Sequence, residues 1–277
     1  YLYSDFELSD SITAYTELTY AERTGANRAD GAGPRPSMMF HANNAFLPEE
    51  MRVLLAGTDF GLGKYVNNEI VGRNTAKAKV FRGVFGLKGE IGNDWSWDAY
   101  YQYGRNDRRQ DRTLSRVNTP FIYAIDAVDE GLETTGVANG NIVCAELLNP
   151  NPDPIAIGCK PLNLFGIGNL DPEAVAYAYR PVLEEFKYTQ QVAAVAIQGN
   201  LFDGWGAGPI GFAAGGEYRS EKGDVWHGDI PNYNDYAFTF GLDYAGTINV
   251  LEGFTELNVP VFSDSAIGDL FELNGAV

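Results

Sequence analysis

Residues 210–221 read IGFAAGGEYRSE. In an extended chain Ile210, Phe212, Ala214, Gly216 and Tyr218 fall on one side, and Glu217, Arg219 and Glu221 on the other. Successive side chains of a strand point to opposite faces, so this is a β-strand with one greasy and one wet side. From Trp95 to Tyr103 the odd positions are Trp95, Trp97, Ala99, Tyr101 and Tyr103, while the even ones include Ser96, Asp98 and Gln102. Phe81, Phe85, Leu87 and Ile91 oppose Arg82, Lys88 and Glu90; Leu251, Leu257, Val259 and Val261 oppose Glu252, Glu256 and Asn258. Charges on the inner face of a soluble sandwich would be buried without partners, so the pattern suits a sheet whose polar side meets water.

The chain has 277 residues, 45% hydrophobic and 21% charged, within the globular range. No run approaches the roughly 18 apolar residues of a membrane helix, so a membrane reading requires a β-barrel. The 32 glycines, 16 tyrosines and 16 phenylalanines favour β-structure with many turns, and aromatic side chains are what a barrel places at its two interfaces. A net charge of -17 argues against nucleic acid as a partner. The run Arg105, Arg108, Arg109 and Arg112 is interleaved with Asp107 and Asp111 and reads first as the solvated base of a loop.

Cys144 and Cys159 flank a segment holding Pro150, Pro152, Pro154 and Gly158. A disulfide in an oxidising compartment fits them better than a metal site, since neither His41 nor His227 is near in sequence; two free thiols are the alternative. The sequence opens at Tyr1 and closes at Val277 inside an alternating run, and is expected to be a fragment of a longer chain.

Eight strands are expected, at 1–6, 12–24, 75–91, 95–108, 188–201, 209–221, 250–261 and 271–277. Short turns near residues 8–11, 92–94, 202–208 and 263–269 alternate with long loops over about 25–74, 105–187 and 222–249. One rim is trimmed and the other elaborated, the asymmetry of outer-membrane barrels. A helix is expected from Asp171, Pro172 and Glu173 toward Val182–Phe186, interrupted at Pro181. Eight strands alone would leave no room for a charged lumen, so further strands are expected elsewhere in the parent chain.

Two stretches, Cys159–Gly166 (CKPLNLFG) and Asn169–Ala174 (NLDPEA), resemble the extracellular-loop signature of TonB-dependent outer-membrane receptors of proteobacteria. Gly208–Ala213 with Gly216–Arg219 resembles the barrel strand that follows, and Phe254–Val261 with Glu272–Val277 the next hairpin. The resemblance implies part of a transmembrane barrel of about 22 strands in the outer membrane of a Gram-negative bacterium. It also implies uptake of a scarce bulky nutrient, such as a siderophore, cobalamin or an oligosaccharide, energised through TonB. Expected partners are outer-membrane lipid and lipopolysaccharide, that ligand, and the TonB complex through a plug domain absent from this sequence.

Ligand-binding candidates are the cluster Trp226, His227, Asp229, Tyr233, Asn234 and Tyr236 together with Arg105 and Arg108, since aromatics stack on sugars or catechols and polar groups fix hydroxyls. Asp98, Tyr100, Gln102, Gln198, Asn200, Glu217, Arg219, Glu252 and Glu256 are expected to face the lumen. No cofactor, metal or catalytic group is expected. Gly61, Gly63 and Lys64 precede Tyr65 where a phosphate loop needs Ser or Thr, and no nucleophile elbow or His-Glu-x-x-His pair is present. Rival readings are a secreted soluble β-protein that binds or cleaves glycans, and a passive porin.

Overall fold

The computed structural model describes residues 1–66, 68–228, 230, 232–238, 241–266 and 268–277. Eight strands form one antiparallel sheet in sequence order: β1 (Leu2–Ser9), β2 (Ile12–Asp30), β3 (Val71–Ile91), β4 (Trp95–Arg116), β5 (Tyr179–Asp203), β6 (Pro209–Trp226), β7 (Tyr244–Ser265) and β8 (Gly268–Ala276). Among the described residues the outer edges of β1 and β8 carry no neighbouring strand in this sheet.

The register carries the two faces across all eight strands. Leu18 pairs with Gly83, Phe85 with Tyr101, Tyr101 with Ala193, Tyr218 with Leu251, and Val259 with Leu273, each on the apolar side. A bulge between Pro260 and Phe262 returns Phe262 to that side, where it stacks on Phe271 at 5.1 Å. Two cross-strand glycines are set by neighbouring rings: a Cβ on Gly199 would lie 2.5 Å from the Trp95 indole, and one on Gly86 2.2 Å from the Tyr15 ring. The apolar side lies open, with Phe6 70%, Phe85 59%, Val195 55% and Leu251 82% exposed.

Six strands run 18–25 residues, past the ends that sequence alternation marks: β2 reaches Asp30, β3 begins at Val71, β4 reaches Arg116 and β5 begins at Tyr179. The long connections shrink to 31–70, 117–178 and 227–243. Above the row Tyr20, Phe81, Tyr103 and Tyr218 the apolar face turns polar, with Lys77 and Lys79 of β3 paired with Arg109 and Asp107 of β4 on that side, so apolar alternation vanishes while the hydrogen-bond ladder continues. The arginine run is therefore strand, not loop base.

The buried core lies outside the sheet. Connections 31–70 and 117–178 fold together into a cap with helices α1 (Glu49–Leu55), α2 (Asn118–Ile125), α3 (Glu130–Thr135) and α4 (Pro172–Ala178). Phe40, Leu47, Ile70, Phe121, Leu162 and Leu164 pack with Tyr179 at the foot of β5. Asn44, 1% exposed, joins the connections by donating Nδ2–H to the Ile125 carbonyl at 2.6 Å. Arg116 donates to the Gly33 carbonyl and lies 4.8 Å from the Phe121 ring. The helix expected near residue 171 is real but short: Asp171 caps it through the Glu173 N–H at 2.7 Å, Pro172 opens it, and it stops at Ala178. Residues 182–186 belong to β5, because the residue before Pro181 is driven extended.

Cys144 and Cys159 form a disulfide inside this core. It closes a loop with a sequence separation of 15 residues. Replacing both cysteines by alanine is expected to lower cap stability by about 3 kcal/mol, read as lost hydrogen-exchange protection in α2 while β3–β6 keep theirs.

Candidate functional site

On the polar side of the sheet a hydrogen-bonded belt crosses strand after strand. Glu17 on β2 accepts from Arg82 on β3 at 2.8 Å, Arg82 donates to Gln102 on β4 at 2.7 Å, Gln102 to Gln190 on β5 at 2.8 Å, and Gln190 to Glu221 on β6 at 2.8 Å. Arg219 then gathers Glu217 at 3.0 Å, Glu221 at 3.7 Å and Glu252 on β7 at 4.0 Å. Each partly exposed pair is worth at most about 1 kcal/mol, so the belt fixes side-chain positions more than it stabilises the sheet. Below it Tyr15 donates to Asp98 at 2.8 Å. A cleft of about 630 Å³ opens there, lined by Thr13, Lys88, Ser96, Asp98, Gln198 and Glu256. The register sets Asp98, Tyr100, Gln102, Gln198, Asn200, Glu217, Arg219, Glu252 and Glu256 on this one polar face.

The expected ligand cluster divides. His227, 2% exposed, lies between Asp243 Oδ1, 2.9 Å from Nδ1, and Glu184 Oε2, 3.2 Å from Nε2. Arg108 pairs with the other oxygen of Glu184, so Arg108 and His227 do meet, through a residue the sequence does not mark. Trp226 ends β6 opposite Glu185 and is 40% exposed. Arg105 lies on the opposite face from Arg108, above Tyr103, held by Asp107 at 2.7 and 3.0 Å; it does not join them. Tyr236 packs against Val117 and Val182 as a small core. Asn234 is exposed, while Asp229 and the side chain of Tyr233 lie outside the described residues.

A second hollow, about 710 Å³, lies within the cap, lined by His41, Arg52, Asp59, Asp126, Glu133 and Asn149 among others. Asp59 orients His41, taking its Nδ1 at 2.9 Å and the Ala42 N–H at 2.9 Å; that amide, then His41, holds the Asp59 carboxyl below its ordinary range. Burial pushes the Asp126 carboxyl the other way, above its ordinary range. These residues come from two connections with no periodicity to align them, which is why sequence reading misses the hollow. Among the described residues no group of three or more His, Cys, Asp or Glu side chains is placed to hold a metal ion.

No known family model, curated protein or solved structure matches this chain.

The Asp126 carboxyl gives a prediction with a definite sign. A carboxyl raised by folding favours the folded cap below the unfolded pKa, and that advantage is lost as pH rises through the raised value. At neutral pH Asp126 is thus a liability, and Asp126→Asn is expected to raise the melting temperature of the cap there. Equal melting of the two proteins at neutral pH would contradict it.

Proposed function

We propose that this chain is a stretch of the wall, with its extracellular cap, of a TonB-dependent receptor in the bacterial outer membrane. The observation that carries the reading is the open apolar face continuous over eight strands, backed by a polar face knit into a belt. Water-facing apolar patches on soluble monomers rarely exceed a few hundred Å². Burial of each large apolar side chain is worth about 1.5–3 kcal/mol, so contact with an apolar medium would stabilise a face of this extent, which supports the reading. About ten tilted residues per strand cross a bilayer. On β4 that length begins at Trp95, and the upper part rises beyond the membrane to meet the cap.

In lipid the unpaired edges of β1 and β8 would each leave a row of unsatisfied backbone groups. The reading therefore requires further strands to close the barrel, around a plug that contacts the polar face. The cap and the upper polar face would meet the ligand, of the siderophore, cobalamin or oligosaccharide kind, and lipid and lipopolysaccharide would meet the apolar face. The work done on the ligand is translocation, with no catalytic step.

The test is fractionation joined to uptake. The protein is expected in carbonate-washed outer membranes, and cells lacking it should lose proton-gradient-dependent uptake of labelled ferric siderophore, cobalamin or oligosaccharide. A protein found in the soluble fraction, with all three uptakes intact in its absence, would overturn the reading.

A further inference from the structure

The His227 cluster ties together four parts of the sheet. His227 follows β6, Asp243 precedes β7, Glu184 lies on β5 and Arg108 on β4. The His227 backbone N–H donates to Asp243 Oδ1 at 2.8 Å, and the same oxygen lies 2.9 Å from Nδ1, so the two ends of the β6–β7 return are held side by side. On the other side of the ring Nε2 faces Glu184 Oε2 at 3.2 Å. A neutral imidazole carries one N–H and one lone pair, whereas the imidazolium donates from both nitrogens. With a carboxylate oxygen against each nitrogen, only the imidazolium satisfies both. Removing the proton turns a ring lone pair toward one of these carboxylates, around a side chain from which water is almost excluded.

We propose that His227 is a proton-dependent clasp on the β6–β7 return. In the imidazolium form it pins the end of β6 to the start of β7 and both to β5. That keeps the return docked on the end of β4 and on α2, where Asp235 accepts from the Thr119 N–H at 2.9 Å and hydroxyl at 2.7 Å, and the Ala237 N–H donates to the Arg116 carbonyl at 3.0 Å. In the neutral form one of the two ring contacts becomes repulsive and the docking loosens. The clasped state holds a proton that the neutral form lacks, so clasping weakens as pH rises. The clasp rests on these contacts alone and would stand even if the sheet proved not to enter a bilayer.

Hydrogen exchange on the full-length protein in detergent, from about pH 5 to about pH 9 and corrected for intrinsic exchange, tests it. Protection of peptides covering 235–237 is expected to fall about tenfold with rising pH, the loss of one charge-assisted hydrogen bond. In His227→Gln it should be independent of pH, with protection in β2 and β3 as the control for folding. Should that variant fail to fold, Asp243→Asn serves: removing one of the two carboxylates should move the fall to lower pH. Wild-type protection independent of pH, the same fall in His227→Gln, or an unmoved fall in Asp243→Asn would overturn the proposal.

Discussion

Phe85→Lys is expected to cost the assembled protein about 2–4 kcal/mol in a bilayer. Phe85 is 59% exposed on the apolar face, between Thr16 of β2 and Tyr101 of β4. On a soluble sheet, a lysine replacing an exposed phenylalanine would be neutral within about 0.5 kcal/mol or would improve solubility. In lipid the ammonium must be dragged out of hydrocarbon or must snorkel a long way. The sign of the effect therefore separates the two settings. Urea unfolding of the full-length protein from phospholipid vesicles reads it, with Lys79→Ala, above the aromatic row, as the near-silent control. Equal stability of Phe85→Lys and wild type would remove the membrane reading.

Phe121→Ala is expected to cost about 3–5 kcal/mol, and the loss should be confined to the cap. Phe121 is fully buried, meets Tyr179 edge-on at 6.0 Å and lies under the Arg116 guanidinium. Its removal opens a cavity at the point where connections 31–70 and 117–178 share their core with the foot of β5. The sheet is held by its own ladder and belt, so limited proteolysis should cut the connections while β2–β7 remain protected. Loss of the sheet together with the cap would show that the two are one cooperative unit, contrary to the separate core described above.

The lower half of the sheet was legible because each face there repeats a single character. Trp95, Trp97, Tyr101 and Tyr103 alternate with Ser96, Asp98 and Gln102, and the register keeps those sets apart across the neighbouring strands. The upper half was not, since Asp107, Arg108 and Arg109 look like any solvated run until their partners are known. Arg109 reaches Asp111 at 3.0 Å on its own strand and Glu185 at 3.1 Å on the next. The pairing of Cys144 with Cys159 was readable from proximity and proline content, but the core around it was not. Phe40, Leu47 and Phe121 come from loops with no common period, and only tertiary contact brings them together. Of the ligand candidates, His227 and Arg108 converge through Glu184, which ordinary strand alternation hides; Arg105 falls on the far face because it is an odd number of residues from Arg108.

The most direct test of the two-faced wall is a spin-label scan along β4, one added cysteine at a time from Ala99 to Tyr103, in the full-length protein reconstituted in vesicles. Labels at 99, 101 and 103 should be relaxed chiefly by oxygen dissolved in lipid, and labels at 100 and 102 chiefly by a water-soluble nickel chelate. Nickel access at all five positions, or an alternation of opposite phase, would contradict the account.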